Sequence, residues 1–144
     1  MLFVGMDVHK QKVELAVLDE AGNLLWRDSL RCDRNTLRSY VERRLAPDAR
    51  IAIEATTNTW AVVDVIKPLV TEVVVSNPLR TRAIAEARIK TDKIDAYVLA
   101  QLLRCDYLPR VWIPDAETRE LRQITTQRAS LVADRTRLKN RIHA

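Results

Sequence analysis

The stretch Leu2-Phe3-Val4-Gly5-Met6-Asp7-Val8 decides how this chain is read. It is a near-continuous apolar run, as expected of a central strand covered on both faces. Asp7 stands inside it. Taking a lone carboxylate out of water costs several kcal/mol, so a buried one needs a partner or a cation. Three more acids hold comparable places. Glu54 closes the run Ile51-Ala52-Ile53-Glu54. Asp92 and Asp95 lie three apart in Lys90-Thr91-Asp92-Lys93-Ile94-Asp95-Ala96. Residues three apart share one helix face, where two carboxylates repel unless a cation intervenes. First-turn aspartates are also favoured simply by the helix dipole. If the four acids converge, their natural partner is Mg²⁺ or Mn²⁺. The chemistry is then phosphodiester cleavage or transfer.

Outward from that strand, Lys12 to Leu18 alternates, with Val13, Leu15 and Val17 against Glu14, Ala16 and Leu18. A turn at 19–23 leads to a third strand, Leu24 to Leu30, completing an antiparallel meander. Asp33 is placed to cap a helix carrying Leu37, Tyr40, Val41 and Leu45. Ile51 to Glu54 is a short strand, and Asn58 or Thr59 caps a helix from Trp60 to about Leu69. Val73-Val74-Val75 is a fifth strand. Leu79 to Ala87 is helical, and a further helix starts at Thr91 or Asp92 and runs through Arg104. The order β-β-β-α-β-α-β-α predicts an α/β mixed sheet with flanking helices. It is the order of the ribonuclease H-like (RuvC-like) fold. In that fold acids sit on the first strand, at the end of the fourth and on the last helix, where this chain has them.

After Pro114 the pattern changes. Residues 115–144 contain no glycine or proline and fit one long helix. Leu121, Ile124, Arg128, Leu131, Arg135, Leu138 and Ile142 follow a 3-4 spacing, as in a coiled-coil seam or a packed helical arm. The expected organisation is a catalytic domain over 1–110, then a linker and long basic helix over 111–144.

Composition narrows the partners. The 144 residues have the size of one domain, 47% apolar and 30% charged. Net charge is +5, which suits a polyanionic partner. Arg88, Lys90 and Lys93 crowd the Asp92–Asp95 pair, and Arg128 and Arg135 lie on the long helix. All five are candidate nucleic-acid contacts; a solvated helix face reads the same way. His9 and Lys10 follow Asp7 and are either phosphate contacts or ordinary strand-end turn residues. Two glycines leave little room for a phosphate-cradling glycine loop, which counts against an actin-like or sugar-kinase ATPase half. Cys32 and Cys105 are far apart, so neither a zinc site nor a disulfide framework is indicated. No apolar run approaches the ~20 residues of a membrane helix, and no signal peptide is evident. The expected location is the cytoplasm.

The stretches Gly5-Met6-Asp7-Val8-His9-Lys10, Glu54-Ala55-Thr56 and Lys90-Thr91-Asp92-Lys93-Ile94-Asp95-Ala96 together resemble the N-terminal domain of DEDD transposases. These are RuvC-like insertion-sequence recombinases related to the Piv/MooV DNA invertases. The resemblance implies that Asp7, Glu54, Asp92 and Asp95 form a catalytic tetrad binding Mg²⁺ or Mn²⁺. It implies DNA as substrate, a structured guide RNA as partner, and homo-oligomers (dimer or tetramer) built through 115–144. Relatives continue into a domain bearing a serine nucleophile, so the chain is expected to hold the metal half of a composite site. Two alternatives accompany this expectation. One is a non-catalytic module for nucleic-acid binding and dimerisation; the other is a RuvC-like structure-specific nuclease.

Overall fold

A computed structural model describes the backbone of residues 1–84 and 92–143, and the side chains of 1–84 and 95–143. Strands β1 (Phe3–Val8), β2 (Lys12–Leu18) and β3 (Leu24–Arg31) form the antiparallel meander. There follow α1 (Arg34–Arg44), β4 (Arg50–Glu54), α2 (Thr59–Ile66) with a 3-10 turn at Lys67–Leu69, and β5 (Glu72–Ser76). Then come α3 (Pro78–Ile84), α4 (Asp92–Arg104), β6 (Arg110–Val111) and α5 (Ala116–His143). The sheet order is β3-β2-β1-β4-β5-β6. β4 runs parallel to both β1 and β5, and the remaining pairs are antiparallel. This is the expected α/β mixed sheet with flanking helices and a long final helix. The chain divides into two compact units, Met1–Val111 and Trp112–Ala144.

All six residues of β1 are buried. Register assigns them to two faces, since paired residues on neighbouring strands point the same way. Phe3, Gly5 and Asp7 share a face with Leu18, Ala16 and Glu14 of β2. Ala52 and Val74 continue that face on β4 and β5. Helix α4 covers it, closing a core of Phe3, Leu18, Ala52 and Val74 with Leu99, Ala100 and Leu103. Val4, Met6, Ile51 and Ile53 alternate to the opposite face and are buried there. Leu37 and Val41 of α1, with Val62, Val63 and Ile66 of α2, supply the buried helical residues beside them.

Gly5 sets how close α4 comes. A Cβ there would lie 1.9 Å from the Ala96 carbonyl oxygen and 2.7 Å from the Ala100 nitrogen. Only a residue without a side chain allows helix backbone to rest on strand backbone at this point.

Local chemistry explains the other joins. Asp33 caps α1, accepting hydrogen bonds from the Thr36 amide (2.9 Å) and hydroxyl (2.8 Å). Tyr40 ties α1 to β3: its hydroxyl donates to Asp28 at 2.6 Å and accepts from the Trp26 indole at 3.0 Å. Burial, reinforced by the Asp28 carboxylate, pushes that phenol up to about 12, so it stays a donor.

The structure departs from the sequence expectation in several places. The sequence of β2 alternates, yet every residue after Lys12 is buried on both faces, because α4 covers the side that Glu14 and Ala16 occupy. Alternation holds instead on the edge strand β3. Asn58 precedes α2 but makes no side-chain capping bond. β6 was not foreseen, since two residues carry no periodicity. The expected helical stretch at 85–87 lies outside the described residues. Among the described residues no helix is long and apolar enough to cross a membrane.

Candidate functional site

Asp7 is 9% exposed, near the C-terminal end of β1, on the face that α4 covers. His9 donates to it from Nε2 to Oδ2 at 3.0 Å. Glu54 is the last residue of β4 and half-buried. Met6 pairs with Ile53, so the residues that follow, Asp7 and Glu54, lie side by side at the C-terminal ends of neighbouring parallel strands. The turn after Glu54 is fastened by buried Thr59. Its Oγ1 accepts from the Thr56 amide at 2.6 Å and donates to the Glu54 carbonyl at 3.3 Å.

Asp95 arrives from the helix. Ala96 and Ala100 lie over Gly5, while Leu103 joins the core around Phe3 and Leu18. Helix α4 thus runs antiparallel to β1, and its first turns lie toward Asp7. Asp95, half-buried, precedes Ala96 in this arrangement. The side chains of Asp92 and Lys93, and residues Arg88 and Lys90, lie outside the described residues. Three of the four expected acids are therefore described, all in the first unit and around the Asp7 end of the sheet.

One acid was missed from sequence. Glu14 on β2 is the register partner of Asp7 and is 8% exposed. Ser29 Oγ donates to its Oε1 at 2.8 Å, and Lys12 Nζ approaches the same oxygen at 3.5 Å. The only signal was a glutamate in an otherwise apolar strand, Val13-Glu14-Leu15-Ala16-Val17, which alternation made look solvated.

Beside the acids, Val8, His9, Lys10, Thr56, Thr57 and Asn58 line a cleft of about 340 Å³ at the ends of β1 and β4. Lys10 is exposed there. Ligands of open α/β sheets commonly bind outside the carboxyl ends of strands. Lys10, His9 and the threonine hydroxyls offer a cation and donors suited to phosphate oxygens. A larger cleft of about 440 Å³ between α1 and α2 includes Cys32, Leu37, Ala61 and Val62, and its described lining contains none of Asp7, Glu14, Glu54 and Asp95.

The donor set fits a hard divalent cation. Carboxylates on a sheet edge and a facing helix supply the oxygen ligands that Mg²⁺ and Mn²⁺ prefer, and Mg²⁺ commonly takes only one or two of them. Among the described residues, no three of His, Cys, Asp or Glu stand close enough to hold an ion together.

The second unit carries Arg128 and Arg135. None of the described residues of α5 is buried. Leu121, Ile124, Leu131, Leu138 and Ile142 are all exposed. Both arginines line an apolar groove of about 450 Å³ with Ile124, Leu131 and Val132. They share the stripe of the apolar residues, as the 3-4 spacing placed them.

Comparisons with known proteins agree with this architecture. A family model described as "Transposase", of the DEDD IS110 type, matches residues 4–144. "Putative transposase y4qE" of Sinorhizobium fredii is 28% identical over 134 residues, covering 90% of this chain and 34% of that protein. The chain thus spans about a third of that relative's length. Among solved structures, Thermus thermophilus RuvC shares the fold with a TM-score of 0.52 at 15% identity, over 77% of this chain and all of that one. T. thermophilus RuvC in complex with a Holliday junction substrate gives a TM-score of 0.50 at 13% identity, over 77% of this chain and 99% of that one.

Proposed function

The chain belongs to the DEDD transposase family, and from that premise we propose that it is the N-terminal, metal-binding catalytic domain of a DNA transposase, acting on phosphodiester bonds during transposition. The observation that carries this reading is buried Asp7 near the end of β1 beside Glu54, with α4 bringing Asp95 to the same end. Asp7, Glu54, Asp92 and Asp95 would hold Mg²⁺ or Mn²⁺. Bound there, the ion supplies charge stabilisation for an in-line displacement at phosphorus.

The protein's own groups do the rest. Burial keeps water off Asp7, and the His9 N–H orients its carboxylate. Thr59 fixes the turn that presents Glu54. Lys10, with His9, meets phosphate oxygens of the bound strand in the adjoining cleft. Arg88, Lys90 and Lys93 add basic charge beside the aspartate pair, giving binding a steep salt dependence. The exposed stripe of α5, Arg128 and Arg135 included, serves for pairing with further copies of the chain as a dimer or tetramer, for contact with nucleic acid, or for both. The partners are DNA and a structured guide RNA, met in the cytoplasm.

The test is calorimetric titration of Mg²⁺ or Mn²⁺ into the full chain with DNA or RNA present. Binding at millimolar metal, lost in Asp7→Asn, is the expected result. No heat at millimolar metal would refute the metal role. The exposed apolar stripe of α5 favours one other reading, a non-catalytic binding and dimerisation module. That reading predicts salt-sensitive nucleic-acid binding without metal, surviving the double change Asp7→Asn, Asp92→Asn.

A further inference from the structure

Three connections meet at the end of the sheet that carries Asp7 and Glu54. One is the β1–β2 turn, closed by the His9 amide on the Lys12 carbonyl at 2.9 Å. The β3–α1 junction lies against it, since the Cys32 amide donates to the Gln11 carbonyl at 2.9 Å. The third is the turn from Glu54 into α2. Helices α1 and α2 therefore both start at this edge, and they pack on each other.

The cleft of about 440 Å³ between them opens here. Asn58, Ala61, Val62 and Val65 line it from α2, and Arg34 and Leu37 from α1. Spacings of three and four residues put each set on one side of its helix. Asn58 also lines the cleft that holds Lys10, Thr56 and Thr57, so the two clefts adjoin. A strand whose phosphate meets Lys10 has the second cleft as its neighbour.

The two clefts differ in chemistry. The first offers Lys10, His9 and hydroxyls. The second has an apolar wall and two carboxylates, Asp33 and Asp64. Carboxylates repel phosphate but accept hydrogen bonds from base N–H groups, such as the cytosine amine. Asp33 is committed to the cap of α1. Asp64 and the amide of Asn58, which does not cap α2, are the polar groups suited to a base edge. A volume of about 440 Å³ lies within the ~300–1,000 Å³ of clefts that enclose small organic groups. Flipped bases are held between apolar side chains with hydrogen bonds at their edges.

Resting on the reading that DNA lies across the acids, we propose that the α1–α2 cleft receives one unpaired nucleotide of that DNA strand, next to the phosphate on Lys10. The base enters against Leu37 and Val62 and meets Asn58 and Asp64. Its phosphate stays outside, on exposed Arg34. Seating a base here fixes the register of the strand relative to the acids.

The test is fluorescence anisotropy on the full chain without metal, at low salt, where phosphate contacts give measurable binding. The probes are a labelled DNA strand of mixed sequence and the same strand carrying abasic sites. Ala61→Leu fills the cleft from an exposed helix position and adds no stacking surface. It should weaken binding of the normal strand by roughly five- to tenfold, the lower range for one lost base contact. The abasic strand should bind wild type more weakly by a similar factor, and the two losses should not add, since both remove one contact. Arg34→Gln, which leaves the cleft open, should weaken both strands alike. Additive losses, or a wild-type chain that binds normal and abasic strands within about twofold of each other, would overturn the proposal. The same coupling found with an RNA strand and absent with DNA would overturn the assignment to the DNA strand. A wild-type chain that binds neither strand would sink the nucleic-acid reading itself, whereas failure of the metal role alone leaves these measurements unchanged.

Discussion

Two rows of charge lie on the same face of one sheet, at opposite ends of β4. At its start, Arg50 pairs in register with Glu72 and donates to it at 2.6 Å. Arg110 donates to the other Glu72 oxygen at 2.6 Å and to Asp106 at 2.7 Å. Signs alternate, and each acid has an arginine. At the other end Glu14, Asp7 and Glu54 succeed one another across β2, β1 and β4, with Lys12 beside Glu14 and His9 beside Asp7. The first row resembles the bidentate arginine networks that hold elements together. The second gathers carboxylates on three adjacent strands, the oxygen donors that a hard divalent cation prefers. Position in the sheet does not distinguish the rows; their residue types do.

Gly5→Ala strikes both rows at once, since α4 spans the face between them. Its methyl would press on helix backbone, which no flexible side chain can relieve. Overpacking costs ~1–3 kcal/mol or more. Circular dichroism should show the melting temperature down by many degrees and no stabilisation by added Mn²⁺. A chain that melts like wild type would mean α4 does not seat on Gly5.

Arg50→Met breaks the paired row alone. It leaves Glu72 with one arginine and should cost ~1–3 kcal/mol in urea unfolding, the range for a hydrogen-bonded charge losing a partner. Metal affinity should not move, and a coupled loss would show that the two rows are one unit.

Acid separates them more gently. Burial pushes the Glu72 carboxyl up, but hydrogen bonds from Arg50 and Arg110 outweigh it and hold it below its ordinary 4.5. A carboxyl depressed in the folded state stabilises the fold above its unfolded value and loses that contribution as pH falls through the folded one. Stability should therefore decline below about pH 4.5 in the wild-type chain, and that decline should be shallower in Glu72→Gln. Equal slopes would show the paired row to be neutral in the balance.

The smallest effect should fall on the metal-free chain. Asp7→Asn removes one of two facing like charges but also weakens the hydrogen bond with His9, so metal-free stability should change by no more than about 1 kcal/mol. Stabilisation by Mn²⁺ should vanish. A larger loss of metal-free stability would show that the pair with His9 outweighs the facing charge.

Sequence made one of these rows visible and hid the other. Asp7 stood out because it interrupts an apolar run, and Glu54 because it closes one. Those signals are local, and so was the strand and helix order that fixed the fold. Glu14 stayed hidden because its strand alternates, and alternation cannot show that a helix eighty residues later covers the polar side. Arg50 and Glu72 meet only through β4–β5 register, and Thr59 acts across a turn whose shape one residue does not announce. What one element holds was readable; what two elements share was not.

β1 is bonded along both edges, to β2 and to β4. Opening it means parting the sheet on two sides, an event close to unfolding of the whole unit, whereas the edge strands β3 and β6 can fray alone. Amide exchange at Met6 and Asp7 should then track global stability while β3 exchanges sooner. A nucleic acid distorting the outer strands would leave the acid at the end of β1 where it was, the part of the molecule slowest to give way.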